Sequence, residues 1–245
     1  MSEDRSYLYG DGLFETVRVD AGVRWLSRHV GRLTASGQAL GFPTSVIDQA
    51  CAALEALESA TPGIWRVTMS RPGEGMDWGG QGGVSVRCRL FSPALPPKLG
   101  LMAGFYLPDD MLRHHKSTSY LGYVEARRRA RLEGFDDALL LSAGGLVGEA
   151  TAANVIVVLS GRAVTPPVRG IVAGVTRAGL IELAATHGEA IEERAILRAE
   201  LEHADEIVLV SAGVGAMSAA SLCGRALGSV WGERAANWLA EVARR

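Results

Sequence analysis

Hydrophobic positions along this chain switch between two periods, and the switches mark its elements. Leu13 to Val19 reads as a strand, Asp20-Ala21-Gly22 as a hairpin turn, and Val23 to Leu26 as the return strand. Ser27 then stands as the N-cap of a helix running to Leu40, with Val30, Leu33 and Leu40 on one side, and Gly41-Phe42-Pro43 stops it. A second helix carries Ile47, Cys51, Leu54 and Leu57 at helical spacing and ends at Pro62-Gly63. Strands follow over Ile64 to Ser70 and Val84 to Phe91, joined by the glycine-rich segment Arg71 to Gly83, which reads as a mobile loop. The first part of the chain is therefore an α+β unit.

Ser92-Pro-Ala-Leu-Pro-Pro-Lys98 breaks the pattern, because its prolines stiffen the backbone and cannot donate to a ladder. It sets the expected boundaries: an N-terminal domain over 1–92, a linker over 93–100 and a C-terminal domain over 101–245. Beyond it the pattern predicts a strand near Leu101, a loop, and a helix from about Ser119 to Glu133 capped by Gly134. Asp137 to Ser142 and Asn154 to Ser160 read as strands with a glycine-bearing turn between them. Thr176 to His187 reads as a helix and Glu206 to Val210 as a strand. The last helix repeats Trp231, Ala235, Trp238 and Val242 at helical spacing, as expected of a stripe that packs in a core or an interface. There is no internal repeat and no low-complexity tract.

Composition narrows the function classes. The chain has 245 residues, enough for one large domain or two modest ones. About half of it is hydrophobic and its net charge is -2, which argues against a nucleic-acid binder and against disorder. No apolar run approaches the ~18 residues of a membrane span, and Met-Ser-Glu-Asp-Arg-Ser has no signal-peptide shape, so a cytoplasmic protein is expected. Cys51, Cys88 and Cys223 are scattered and odd in number, which suggests a reducing compartment and no metal site. The histidines lack ligand spacing, and His114-His115 reads as a pair of loop residues.

The candidate chemistry starts from a scarcity. Only two lysines occur, Lys98 and Lys116, and Lys116 lies in His115-Lys-Ser-Thr-Ser-Tyr120. Downstream come Glu149-Ala-Thr-Ala-Ala-Asn154 and Gly170-Ile-Val-Ala-Gly174-Val-Thr176-Arg177. A lysine amine, a carboxylate and a helix-opening anion site, in that order, are the parts that hold pyridoxal phosphate (PLP). The lysine forms a Schiff base, the carboxylate faces the pyridinium nitrogen, and backbone amides take the phosphate. Each part alone has a plainer reading: a surface lysine at a helix start, a turn glutamate, and an ordinary helix with Thr176 as cap. Asn154 can orient its loop by bonding to backbone. A second phosphate site is expected at Ser211-Ala212-Gly213, directly after a strand. Gly213-Val-Gly215-Ala-Met-Ser218 imitates a dinucleotide fingerprint, but too little chain remains for a βαβ unit.

Five segments in order resemble the class IV aminotransferase family, the fold-type IV PLP enzymes. They are Tyr9-Gly-Asp-Gly-Leu-Phe-Glu-Thr16, His29-Val-Gly-Arg-Leu33, Lys116 with Tyr120, Glu149 to Asn154, and Gly174-Val-Thr-Arg177. The resemblance covers nearly the whole chain. It implies an α+β / α/β protein of two domains, a small N-terminal α/β domain and a larger C-terminal mixed β domain, with the cofactor between them. It also implies a homodimer whose partner helps to complete the site. It makes Lys116 the catalytic Schiff-base lysine and makes Arg32, Tyr120, Glu149, Asn154, Val175, Thr176, Ser211 and Ala212 cofactor contacts. Tyr9, Phe14, Arg66 and Arg71 are then expected toward a small-molecule amino substrate. The opening motif looks most like that of aminodeoxychorismate lyases. Gly73 stands where D-amino-acid enzymes carry a histidine, and Ser211-Ala212 where branched-chain enzymes often carry threonine. The function so implied is release of 4-aminobenzoate and pyruvate from 4-amino-4-deoxychorismate. The alternative is a class IV aminotransferase acting on branched-chain or D-amino acids.

Overall fold

A computed structural model describes residues 4–71, 73 and 83–242. The chain divides into two compact units, Met1–Ser92 with His115–Tyr120, and Pro93–His114 with Leu121–Arg245. Most of the glycine-rich segment expected as a mobile loop lies outside the described residues.

The first unit comprises α1 (Arg5–Leu8), β1 (Gly12–Val19), α2 (Leu26–Ala39), α3 (Thr44–Glu55), β2 (Gly63–Ser70) and β3 (Gly83–Arg89). The strands form an antiparallel sheet in the order β1-β2-β3, with Leu13 opposite Met69 and Arg66 opposite both Thr16 and Arg87. Successive side chains of a strand alternate between faces. Leu13, Val17, Val67 and Met69 thus meet Leu33, Ile47 and Leu54 of the helices in one core. Phe14, Thr16, Arg66 and Arg87 fall on the opposite face.

The expected return strand over Val23 to Leu26 does not form. Val19 and Val23 share a single bridge, and the Val23 amide is drawn instead to the Glu58 carboxylate (3.1 Å). Trp25 then takes a left-handed φ of 56° and α2 begins at Leu26, one residue before Ser27, with no side-chain cap.

The second unit contains β4 (Lys98–Ala103), α4 (Leu121–Leu132), β5 (Asp137–Leu141), β6 (Val147–Ala150), β7 (Asn154–Leu159) and β8 (Arg162–Thr165). It continues with α5 (Val175–Thr186), β9 (Ile191–Glu193), β10 (Ala204–Ser211), β11 (Gly215–Ser218), β12 (Ser221–Leu222), β13 (Arg225–Ala226) and α6 (Val230–Val242). Two five-stranded sheets result, β11-β10-β7-β8-β9 and β13-β12-β4-β5-β6. Their inner faces share a core of Leu99, Leu139, Leu141, Val155, Val157, Ile207 and Leu209. The stripe on α6 is core packing: Trp231 and Trp238 are buried, with ring centroids 5.9 Å apart.

The unit boundaries differ from the sequence expectation in two places. The stretch assigned to a linker is strand from Lys98 onward, because the ladder resumes once the prolines end and Leu99 enters the core. Residues 115–120 group with the first unit, since they pair with β1. Among the described residues no helix is long and apolar enough to cross a membrane.

Candidate active site

In the first unit the lysine segment is stitched to the free edge of β1. The Phe14 amide donates to the Lys116 carbonyl (2.9 Å), the Thr118 amide donates to the Gly12 carbonyl (2.8 Å), and Leu13 bridges Ser117. This close approach explains Gly12. A Cβ there would stand 2.9 Å from the Met69 carbonyl oxygen, 2.7 Å from Ser6 Cβ and 3.0 Å from Thr118 Oγ1.

Phe14 gathers the chemistry of this edge. Lys116 Nζ lies 4.6 Å from its ring centroid and the Arg66 guanidinium 3.5 Å, so two cations share one aromatic ring. Tyr120 meets the same ring edge-on at 5.7 Å. Arg66 is steadied by Nε donating to Thr68 Oγ1 (3.1 Å). Burial pushes its pKa below the ordinary guanidinium range; Tyr120 opposes that shift and Arg87 adds to it.

On the core face of β1, Glu15 meets two residues of α2 that lie three apart and hence on one side of the helix. Arg32 donates from Nε to Glu15 Oε1 (2.7 Å) and from Nη2 to Oε2 (2.6 Å), while His29 Nδ1 lies 2.8 Å from Oε2. Glu15 is 1% exposed and His29 2%. Burial raises the Glu15 pKa, but the Arg32 charge and the hydrogen bonds from His29 and Arg32 outweigh it and hold the carboxyl at about 2. An ionised carboxylate only accepts, so His29 donates to it from Nδ1.

Arg71 does not stand ready for a substrate carboxylate. Its Nε donates to both oxygens of Asp11 (3.0 Å), its Nη1 to the Gly41 carbonyl (2.9 Å) and its Nη2 to the Leu40 carbonyl (2.6 Å). It ties the end of α2 to the turn before β1. Tyr9 is 45% exposed at the end of α1, with the Arg5 guanidinium 5.4 Å from its ring.

In the second unit the pair Glu149 and Asn154 is formed by the turn between β6 and β7, which sets the two side chains together. The Glu149 carboxylate is buried and accepts from Tyr123 Oη (2.7 Å), Asn154 Nδ2 (3.1 Å) and the Val172 amide (3.4 Å). Asn154 Nδ2 also donates to the Val172 carbonyl (3.0 Å), which fastens the loop leading into α5. That contact accounts for Gly174, where any Cβ would collide with Asn154 Oδ1.

Gly174 itself is the N-cap of α5, with no side-chain bond; Thr176, expected as the cap, lies buried inside the first turn. Arg177 of the same motif turns inward to Thr165 Oγ1 (3.1 Å), the Pro166 carbonyl (2.7 Å) and Glu193 (2.6 Å). Ser211 closes the turn after β10 by accepting from the Val214 amide (3.4 Å), next to Ala212. Since Ser211 pairs with Gly215 in an antiparallel hairpin, no helix follows, and the imitation of a dinucleotide fingerprint ends there.

The first unit thus brings together Phe14, Arg66, Lys116 and Tyr120, and separately ties Arg32 to Glu15. The second groups Glu149 and Asn154 with the entry to Val175 and Thr176. Glu15, His29 and Tyr123 were missed as participants from sequence. Tyr123 had one signal, a lone aromatic near the start of an arginine-rich helix.

Residues 12–222 match the family Amino-transferase class IV, and the chain belongs to that family, whose members are PLP-dependent enzymes of fold type IV. It is 32% identical over 222 residues to a protein of Methanocaldococcus jannaschii provisionally named a branched-chain-amino-acid aminotransferase, covering 84% of this chain and 76% of that one. It is 29% identical over 241 residues to D-alanine aminotransferase of Bacillus licheniformis, covering 93% and 84%. Among solved structures it resembles one from Legionella pneumophila provisionally named 4-amino-4-deoxychorismate lyase. The TM-score is 0.88 at 26% identity, over 99% of this chain and 94% of that one. It also resembles a fold IV transaminase from Curtobacterium pusillum, with a TM-score of 0.84 at 28% identity, over 100% and 90%.

Proposed function

We propose that this PLP enzyme is a 4-amino-4-deoxychorismate lyase, which releases 4-aminobenzoate and pyruvate for folate precursor synthesis. The observation that carries the choice of reaction is the likeness to the Legionella structure, which extends over nearly all of both chains. Arg66 supports it by offering a half-buried guanidinium to a carboxylate-bearing substrate beside the Lys116 amine.

The donor set suits the cofactor: one amine, one buried carboxylate held by three donors, and a helix whose first turn opens on a glycine. When bound, PLP supplies a carbonyl carbon that takes up amines and a ring that withdraws electrons. Lys116 would hold the cofactor through its amine and would take the substrate Cα proton at Nζ. Glu149, oriented by Tyr123 and Asn154, keeps a proton on the ring nitrogen. Arg32, the amides of Val175 and Thr176, and the Ser211-Ala212 turn bind the phosphate. Tyr120 and Phe14 wall the lysine. With the electrons drawn into the cofactor ring, the substrate would lose its C–O bond to the enolpyruvyl group and become aromatic, and the enolpyruvyl group would leave, take up a proton and end as pyruvate.

The test is holoenzyme with 4-amino-4-deoxychorismate and no keto acid. Catalytic, equal release of 4-aminobenzoate and pyruvate supports the lyase. No release from folded, yellow protein moves the assignment to the second reading, an aminotransferase using the same residues. That reading is favoured by the names of the Methanocaldococcus and Bacillus relatives.

The working form is a homodimer in this proposal. Its support is a set of exposed apolar side chains on the second unit: Leu107, Met111, Leu112, Leu121 and Val124. Light scattering at twice the chain mass is the expected result.

A further inference from the structure

The helix face that carries His29 and Arg32 also carries Leu33, Ser36 and Gly37, all of them buried. A core of that kind gains little from an ion pair, because desolvating the charges offsets most of their attraction, and apolar residues of similar volume often serve as well or better. Yet Glu15 is withdrawn from water and accepts from Arg32 Nε, Arg32 Nη2 and His29 Nδ1 at 2.6–2.8 Å. A two-point contact of this kind fixes the plane of a guanidinium as well as its place. Phe14 precedes Glu15 on the same strand and points to the other face, where its ring meets Lys116 Nζ and its amide binds the Lys116 carbonyl. One strand therefore holds both the lysine and the arginine.

We propose that Glu15, assisted by His29, is a positioning residue for Arg32: it holds the guanidinium in the orientation in which Arg32 takes the cofactor phosphate. The proposal rests on the reading of Arg32 as a phosphate contact. Glu15 touches neither cofactor nor substrate in it. A Glu15→Asp substitution keeps the charge and draws the carboxylate back by one methylene, so it moves Arg32 without unpairing it.

The readout is the ratio of apoenzyme affinities for PLP and for pyridoxal, which lacks the phosphate. A residue that only stabilises the fold weakens both ligands alike and leaves the ratio unchanged. Glu15→Asp is expected to lower the PLP preference at least tenfold with unchanged far-ultraviolet circular dichroism, and to have no further effect on the ratio in an Arg32→Gln background. An unchanged ratio in folded Glu15→Asp protein overturns the proposal while Arg32→Gln still lowers it. An unchanged ratio in Arg32→Gln itself overturns the phosphate reading, and the proposal with it. Should Glu15→Asp fail to fold, His29→Leu carries the test, since leucine suits that helix face. A drop of about threefold in the ratio is then expected, and no change overturns the role given to the pair.

Discussion

Phe14 binds Lys116 twice: its amide donates to the lysine carbonyl at 2.9 Å, and its ring lies 4.6 Å from the lysine Nζ. The backbone contact sets where the lysine stem starts, and the ring sets where the amine rests. A residue early in the chain thus places the amine of a residue about a hundred positions later. A motif scan treats the two as separate signals.

The first prediction concerns that amine. Borohydride reduction of the holoenzyme should fix one pyridoxyl group, and peptide mapping should find it on Lys116 and not on Lys98, which is exposed at the start of β4. Phe14→Leu should retain the label. It should lower kcat, because the lysine amine loses the aromatic surface on which it rests. A label on Lys98 would undo the assignment.

Tyr123→Phe removes one donor from the buried Glu149 carboxylate. The loss leaves Asn154 and the Val172 amide as partners, so the fold should hold within about 1–3 kcal/mol. Turnover should fall more than the melting temperature suggests, and Glu149→Ala should fall further still. Equal proportional losses of stability and kcat in both variants would make Glu149 structural alone.

Arg66 and Arg71 should separate cleanly. Arg71→Ala leaves the Leu40 and Gly41 carbonyls without their donor and Asp11 with Arg5 alone (2.9 Å), and should cost about 1–3 kcal/mol of stability by denaturant unfolding. Arg66→Gln should leave stability nearly unchanged, since the like-charged Arg87 lies opposite it, and should raise KM for a carboxylate-bearing substrate by at least tenfold. The reverse pattern would exchange their roles.

Acid should expose Glu15. Its folded pKa of about 2 lies below the ordinary 4.5, so its contribution to stability is complete above about pH 4.5 and is lost as the pH falls toward 2. Unfolding free energy measured across that window should fall more steeply for the native protein than for Glu15→Gln, which has no carboxyl to titrate. Parallel curves would mean that the pairing with Arg32 is weak.

Most regular elements could be read from sequence because local pattern governs them. The helices of Ile47 and Leu54 and of Trp231 and Trp238, and the strands of Val155 and Leu139, repeat apolar residues at periods that only one backbone conformation can bury. Strands β8, β9 and β11–β13 were illegible because they run for two to four residues and owe their pairing to neighbours supplied by distant chain. The return strand at Val23 failed for the same reason, since Glu58 competes for its amide from the far end of a helix pair.

The candidate site divides along the same line. Lys116, Glu149, Asn154, Gly174 and Arg32 could be singled out as candidates because the proposed chemistry calls for particular residue types in a fixed order, and order survives in a linear sequence. Tertiary structure alone decided what each residue faces. Whether Arg71 or Arg66 is engaged by backbone carbonyls, that Tyr123 joins Glu149, and that Glu15 holds Arg32 all depend on which face of a strand or helix turns toward which neighbour. Residue type states what a group can donate or accept; only packing brings it within hydrogen-bonding distance of a partner, so sequence alone named the parts and the fold assigned their connections.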